Sequence, residues 1–113
     1  MRIMLKSKIH RARITSVNLY YEGSISIDPD LMKEADILEG EKVEVLNLNN
    51  GQRIETYAIK GKPKEICLNG PAARMGMPQD EVIILSYAII REEKVHFYKP
   101  KIIYVDEQNR IKT

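Results

Sequence analysis

Four stretches of this chain carry residue types that can do chemistry. They are Gly23-Ser24, the run Arg53 to Tyr57, the loop Asn69-Gly70-Pro71-Ala72-Ala73, and Lys8-Ile9-His10 near the amino terminus. A serine hydroxyl is a nucleophile once something activates it. A guanidinium such as that of Arg53 can hold a carboxylate through two parallel hydrogen bonds. A phenol of ordinary pKa, about 10, stays protonated at neutral pH and can donate. Each position also has a plainer reading. Gly-Ser between β-like runs is a turn, Arg53 is a solvated strand arginine, Tyr57 and Thr56 are strand formers, and Pro71 opens a short helical turn. Lys8 and His10 belong to a locally cationic segment with Arg2, Lys6, Arg11 and Arg13. Such a run forms a solvated face, a nucleic-acid footprint or an anion site. His10 and the distant His96 make a poor metal pair, and no Cys or carboxylate set has metal-site spacing, so no metal is expected. Cys67, the one cysteine, sits in Glu65-Ile66-Cys67-Leu68 and reads as a small buried hydrophobe rather than a nucleophile.

The elements that must position these groups are short and β-like. Segments 3–5, 9–15, 43–48, 53–59, 65–68, 82–90 and 102–105 are β-branched or alternating. Asn50-Gly51 predicts an antiparallel hairpin of 43–48 with 53–59. Asp28 as N-cap and Pro29 in the first turn predict a helix through Ala35, followed by a loop closed at Gly40. A shorter helical turn is expected at Pro71 to Arg74, and the polar tail after Asp106 is expected to fray. With 113 residues, 43% of them hydrophobic, the chain is one domain's worth, and its small core leaves room for help from oligomerisation. Many short strands with one or two short helices read as a small β-barrel or α+β domain. A net charge of +2 with interspersed signs favours no partner class. A lone cysteine, the lack of a signal-like start and the lack of a ~20-residue apolar run lead us to expect a soluble, cytoplasmic protein.

Taken together, the motifs resemble the pyruvoyl-dependent aspartate decarboxylase family along nearly the whole chain. The resemblance runs through Lys8-Ile9-His10-Arg11 with Thr15, Tyr21-Glu22-Gly23-Ser24 with Ile27-Asp28, and Asn50-Gly51. It continues through Arg53 followed by Thr56-Tyr57-Ala58-Ile59, and Asn69-Gly70 with Ala72-Ala73. It implies a double-psi β-barrel assembled as a homotetramer with active sites between subunits. It further implies self-cleavage between Gly23 and Ser24, giving a β-chain of residues 1–23 and an α-chain of residues 24–113. Residue 24 then becomes a pyruvoyl group that forms a Schiff base with L-aspartate and yields β-alanine and carbon dioxide for pantothenate and coenzyme A synthesis. Decarboxylation leaves a carbanion that needs an electron sink, and no side chain offers an electrophilic carbonyl.

By the same resemblance Tyr57 is the proton donor and Thr56 serves both processing and substrate binding. Arg53 and Lys8 meet substrate carboxylates, Gly70-Pro71-Ala72 line the substrate loop, and His10, Tyr21 and Asn69 support the site. Gly23 is expected to lend the cleavage turn a backbone conformation closed to residues with a Cβ. The chain departs from the family pattern at Pro71, which lacks an N–H, and at Ile25. Period two sets Arg53 and Tyr57 on one strand face ~13 Å apart with Thr56 on the other, so strand curvature, inward-leaning side chains or a second subunit must bring them to one substrate. A DNA-binding barrel and a pyruvoyl enzyme for another acidic amino acid are the competing readings. The first predicts an intact chain, and the second normal cleavage with poor aspartate turnover. No nucleic-acid or membrane partner is expected, and the residues identify no maturation factor.

Overall fold

The computed structural model describes residues 1–112. Its strands are β1 Arg2–Arg13, β2 Ser16–Asn18, β3 Ser24–Ile27, β4 Lys42–Asn47, β5 Arg53–Lys60, β6 Ile66–Asn69, β7 Glu81–Ile90 and β8 Lys101–Tyr104. One α-helix, α1 (Pro29–Ala35), and two 3-10 helices, Gly70–Met75 and Glu92–Phe97, complete the chain. The protein is thus mainly β with a few short helices. None of the described helices is long and apolar enough to cross a membrane.

The strands lie in the order β2-β6-β3-β5-β4-β7-β1-β8. β1 is therefore six strand spacings from β2, about 29 Å on a flat sheet. Only Ile14 and Thr15 join the two strands, and that stretch of chain spans at most about 11 Å. The sheet has to curl until its ends approach. Thr15 ties the seam, since its N–H and its hydroxyl both donate to the Ile66 carbonyl at 2.8 and 3.0 Å. β1 bends to follow the curl. Its ladder to β7 shifts register between Leu5 and Ser7 and again between Ile9 and Ala12, with Arg11 at φ +66°. Such bulges sharpen twist and bend a strand.

Local signals behave as expected in two places. β4 and β5 form the antiparallel hairpin, Lys42 opposite Tyr57 and Leu46 opposite Arg53, with Gly51 at φ +75°. α1 begins at Asp28, whose carboxylate accepts from Asp30 N at 2.8 Å. Its other oxygen accepts from Lys64 N at 2.6 Å, so the cap also fixes the loop before β6. Leu31, Met32 and Ala35 pack inward. With Ile9, Ile14, Ile25, Ile27, Val43, Leu68 and Ile84 they belong to one core inside the curl.

Two expectations need correction. Segment 3–5 and residues 9–13 of segment 9–15 are parts of one long strand, because the bulges let β1 bend without breaking its pairing with β7. From Glu107 to Lys112 the tail is ordered rather than frayed. Asn109, only 2% exposed, accepts from Arg13 N at 2.7 Å and donates to Arg13 O at 2.9 Å and Lys64 O at 3.0 Å. Asp106 caps the same turn, accepting from Gln108 N and Arg110 N, and Val105 bridges Ile111. Asn109 thus satisfies backbone groups of Lys64 and of Arg13, which lies beyond the last rung of the β1–β8 ladder at His10.

Asn109→Ala would strand three partly buried backbone groups, each costing on the order of 1 kcal/mol. The variant is expected to lose about 2–3 kcal/mol of stability in denaturant unfolding, far beyond the ~0.5 kcal/mol typical of a surface change in a loose tail.

Candidate active site

The Gly23–Ser24 peptide bond falls at the first rung of β3. Ser24 pairs with Asn69 of β6 in antiparallel register, and Ile25 pairs with Leu68. On the other side β3 runs parallel to β5, with Ile25 opposite Ala58 and Ile27 opposite Lys60. Continuing that register backward sets Ser24 level with Tyr57 and Gly23 level with Thr56. The β3–β5 ladder begins only at Ile25 and Ala58, so β5 from Ile54 to Tyr57 presents an edge free of β3 pairing. A cleft of about 350 Å³ opens there, lined by Gly23, Ile54, Glu55, Thr56, Tyr57, Pro71, Ala72 and Met75. Strand alternation places Thr56 and Tyr57 on opposite faces, yet both reach the cleft because it lies along the strand's edge.

Ser24 is fully buried. Its hydroxyl donates to the Glu22 carbonyl at 2.9 Å and accepts from Asn69 Nδ2 at 3.0 Å. The same amide nitrogen donates to Ser26 Oγ at 2.9 Å. Asn69 Oδ1 accepts from the Cys67 thiol at 3.2 Å. Burial raises the Cys67 pKa above its ordinary value, the Ser16 side chain opposing the rise and Glu65 adding to it. The thiol is a protonated donor at neutral pH and a buried group, as its apolar setting suggests.

The glycine that needs its missing Cβ is Gly70 rather than Gly23. Gly70 sits at φ +63°. A Cβ there would meet Gly23 Cα, Gly23 N and Tyr21 O, each at 2.8 Å. Gly23 has no positive φ, and a Cβ on it would find Pro71 Cδ at 3.4 Å, an ordinary contact. The expectation of an unusual backbone at Gly23 is therefore corrected. The strain lies on the neighbouring strand end, which makes room for the backbone of Tyr21 to Gly23 to pass closely. Pro71, in the first turn of the helix Gly70–Met75, packs its ring toward Gly23, and the missing N–H is one such a turn leaves unpaired anyway.

One chain thus gathers Gly23, Ser24, Thr56, Tyr57, Asn69, Gly70, Pro71 and Ala72, with the Tyr21 carbonyl beside them. It leaves three predicted residues elsewhere. Arg53 does not line the cleft. Its Nε donates to Glu44 Oε2 at 3.1 Å, and Glu44 Oε1 accepts from the Tyr87 hydroxyl at 2.8 Å. Burial raises the Tyr87 pKa, helped by its bond to the Glu44 carboxylate. Lys8 and His10 lie on β1, four strands from β3 in the sheet order. His10 stacks edge-on against Tyr104 in a separate cleft with Arg11, Arg13, Glu81 and Lys112. Burial lowers the pKa of His10, and the positive charges of Lys8 and Arg11 lower it further. Sequence reasoning missed Ser26, Cys67, Glu55 and Met75. Among the described residues no group of three or more His, Cys, Asp or Glu side chains could hold a metal ion.

Comparison with known proteins gives a single answer. The family model described as aspartate decarboxylase matches residues 1–112. The aspartate 1-decarboxylase of Thermoanaerobacter pseudethanolicus is 57% identical over 111 residues, covering 96% of this chain and 95% of that protein. That of Syntrophomonas wolfei is 54% identical, covering 99% and 97%, and that of Desulfitobacterium hafniense 56%, covering 96% and 87%. On a match that runs through every element described above, this chain belongs to the aspartate decarboxylase family.

Proposed function

We propose that this protein is a pyruvoyl-dependent aspartate 1-decarboxylase, forming β-alanine and carbon dioxide for pantothenate and coenzyme A synthesis. The observation that carries the reading is a Gly–Ser peptide bond at the mouth of a small cleft, in a chain of this family, with the serine hydroxyl held on two sides. The mainly β sheet that curls until β1 runs into β2 supports the finer assignment as a double-psi β-barrel.

Maturation begins with Ser24 Oγ attacking the Gly23 carbonyl carbon. As the new C–O bond forms, the C–N bond breaks and the Ser24 nitrogen takes the hydroxyl's proton, leaving an ester. Loss of the Ser24 α-proton expels the Gly23 carboxylate and leaves a dehydroalanine at residue 24, which takes up water and releases ammonia. The products are residues 1–23 and residues 24–113, the second chain beginning with a pyruvoyl group. The position fits such a group. It sits at the end of a strand paired on both edges, beside a cleft sized for a small amino acid. The pyruvoyl carbonyl supplies the electron sink that a departing carboxylate needs.

The chain's own side chains do the rest. Tyr57, 38% exposed and at the cleft wall, gives the proton that replaces the lost carboxylate. Thr56, level with Gly23, serves processing and then substrate. Gly70, Pro71 and Ala72 close the opposite wall and exclude bulk. The carboxylates of the substrate need cations, and the cleft of one chain has Glu55 but no cation among its lining residues. Lys8 and Arg53, with His10 in support, therefore come from a neighbouring copy in a homotetramer, while Tyr21 and Asn69 support the site from within the chain. Exposed Ile3, Ile89 and Phe97 give such an assembly apolar surface to cover.

Intact mass spectrometry of freshly purified protein is expected to show the two fragments, the larger one trappable by hydrazine. Ser24→Ala should stay whole and make no β-alanine; decarboxylation by that variant would overturn the mechanism. Tyr57→Phe should still be cut but turn over roughly 10²-fold more slowly or worse, the usual loss when a proton donor is removed. Gly70→Ala should slow cutting at least ~10-fold, since its methyl collides with the backbone at Gly23. Cutting at the normal rate would show that the close approach there is not needed.

A further inference from the structure

Strand periodicity puts Ser24 and Ser26 on one face of β3, and Cys67 and Asn69 on one face of β6. The antiparallel register sets Ser24 opposite Asn69 and Ser26 opposite Cys67, so all four side chains share one side of the two-strand ladder. They form a buried polar square between the two strands. Relative exposures are 0% for Ser24, 9% for Ser26, 6% for Cys67 and 2% for Asn69. A buried polar group is costly unless partnered, and here the partners are one another.

We propose that Cys67 and Ser26 are positioning residues for cleavage at Gly23–Ser24, acting through the Asn69 amide. The inference rests on the self-cleavage reading above. An asparagine amide has two donor hydrogens on one side and an acceptor on the other, and its two flipped orientations differ only in their partners. Both hydrogens are used here, toward Ser24 Oγ and Ser26 Oγ at 3.0 and 2.9 Å. The oxygen accepts from the Cys67 thiol at 3.2 Å; the Leu68 carbonyl is a distant alternative acceptor at 3.9 Å. The Ser16 hydroxyl, which opposes the rise in the thiol pKa, acts on the sulfur as a donor and leaves its hydrogen for Asn69. The single hydrogen of the Ser24 hydroxyl is committed to Glu22 O at 2.9 Å. In the flipped orientation Asn69 Oδ1 would face that oxygen acceptor to acceptor, or draw its hydrogen off Glu22.

The thiol therefore selects which way the amide points, and Ser26 holds its second hydrogen so that it does not swing. What this fixes is the nucleophile. Around Ser24 Oγ, Cβ, the hydrogen directed at Glu22 and the lone pair occupied by Asn69 take three of the four tetrahedral directions. The one remaining lone pair is left with a defined direction, which is what attack on an adjacent carbonyl requires.

The test follows cutting over time, by intact mass, in freshly synthesised full-length chain. Cys67→Val keeps shape and removes the donor; Ser26→Ala removes the acceptor. Each is expected to cut roughly 3–10-fold more slowly, the size of one modest hydrogen bond expressed in a rate. Cys67→Ser, with a better donor than a thiol, should cut at least as fast as the wild type. In an Asn69→Ala background Cys67→Val should add less than about 2-fold, because residues acting through one partner are not additive. Unfolding midpoints of the same substitutions in the uncut Ser24→Ala chain separate positioning from loss of fold. If Cys67→Val loses its fold, Ser26→Ala alone and in the Asn69→Ala background decides the matter. Variants that cut at the wild-type rate, a Cys67→Ser as slow as Cys67→Val, or effects that multiply in Asn69→Ala would overturn the inference while leaving self-cleavage standing. A wild-type chain that stays whole would instead overturn the self-cleavage reading, and this inference with it.

Discussion

The structure depends on the first rung of β3. This strand has four residues, all buried, and both of its edges are paired, one with β5 and one with β6. Ser24 is its first residue, locked by the ladder to Asn69, while Gly23 lies just outside. The boundary between backbone paired in the sheet and backbone outside it falls on a single peptide bond. A bond placed deeper in the strand would have its carbonyl committed to the sheet and no space beside it for a reaction. One placed several residues earlier would have no fixed nucleophile. The cleft exists for the same reason, because β5 extends past the point where β3 begins and leaves its edge uncovered.

The glycines divide the work differently from what their order in the chain suggests. A cleavage turn invites the idea that its glycine is strained, yet Gly23 has no positive φ and room for a methyl group. Gly70 takes the left-handed conformation and lets two stretches of backbone approach within a distance no Cβ would allow. The left-handed backbone is thereby placed on a residue outside the Gly23–Ser24 bond.

What could be read from the residues follows how local each signal is. The β4–β5 hairpin and α1 are announced within a few positions, by Asn50-Gly51 and by Asp28-Pro29. β3 carries no such mark, since it is short and its partners lie more than thirty residues away. The ordered tail was hidden for a related reason. Asn109 looks like a polar residue near a chain end until β1, 96 positions earlier, is seen to need its amide. At the site, the structure places Ser24, Thr56, Tyr57 and the loop from Asn69 to Ala72 near one another. Ser26 and Cys67 were passed over because a cysteine flanked by Ile66 and Leu68 looks like core. Two-residue spacing from Asn69 on one strand and from Ser24 on the other was the available signal, and it gains meaning only once the strands are known to pair in that register.

The separation of Arg53 from the cleft bears on how the substrate is held. In one chain its guanidinium is spent on Glu44, which is shared with Tyr87. The Arg53 side chain is 62% exposed, and an ion pair that open contributes little, because water screens it and ordering two long side chains offsets the attraction. Exchanging one carboxylate for another is therefore close to neutral for Arg53 while the site is open to water. The balance shifts once a second copy covers the arginine, since the same charges attract more strongly where water is excluded. Were Arg53 to meet substrate across a subunit boundary, assembly and substrate recognition would be coupled. The cleft of the isolated chain is lined by Glu55 and by no cation, so it lacks the positive charge that would make an acidic amino acid stay.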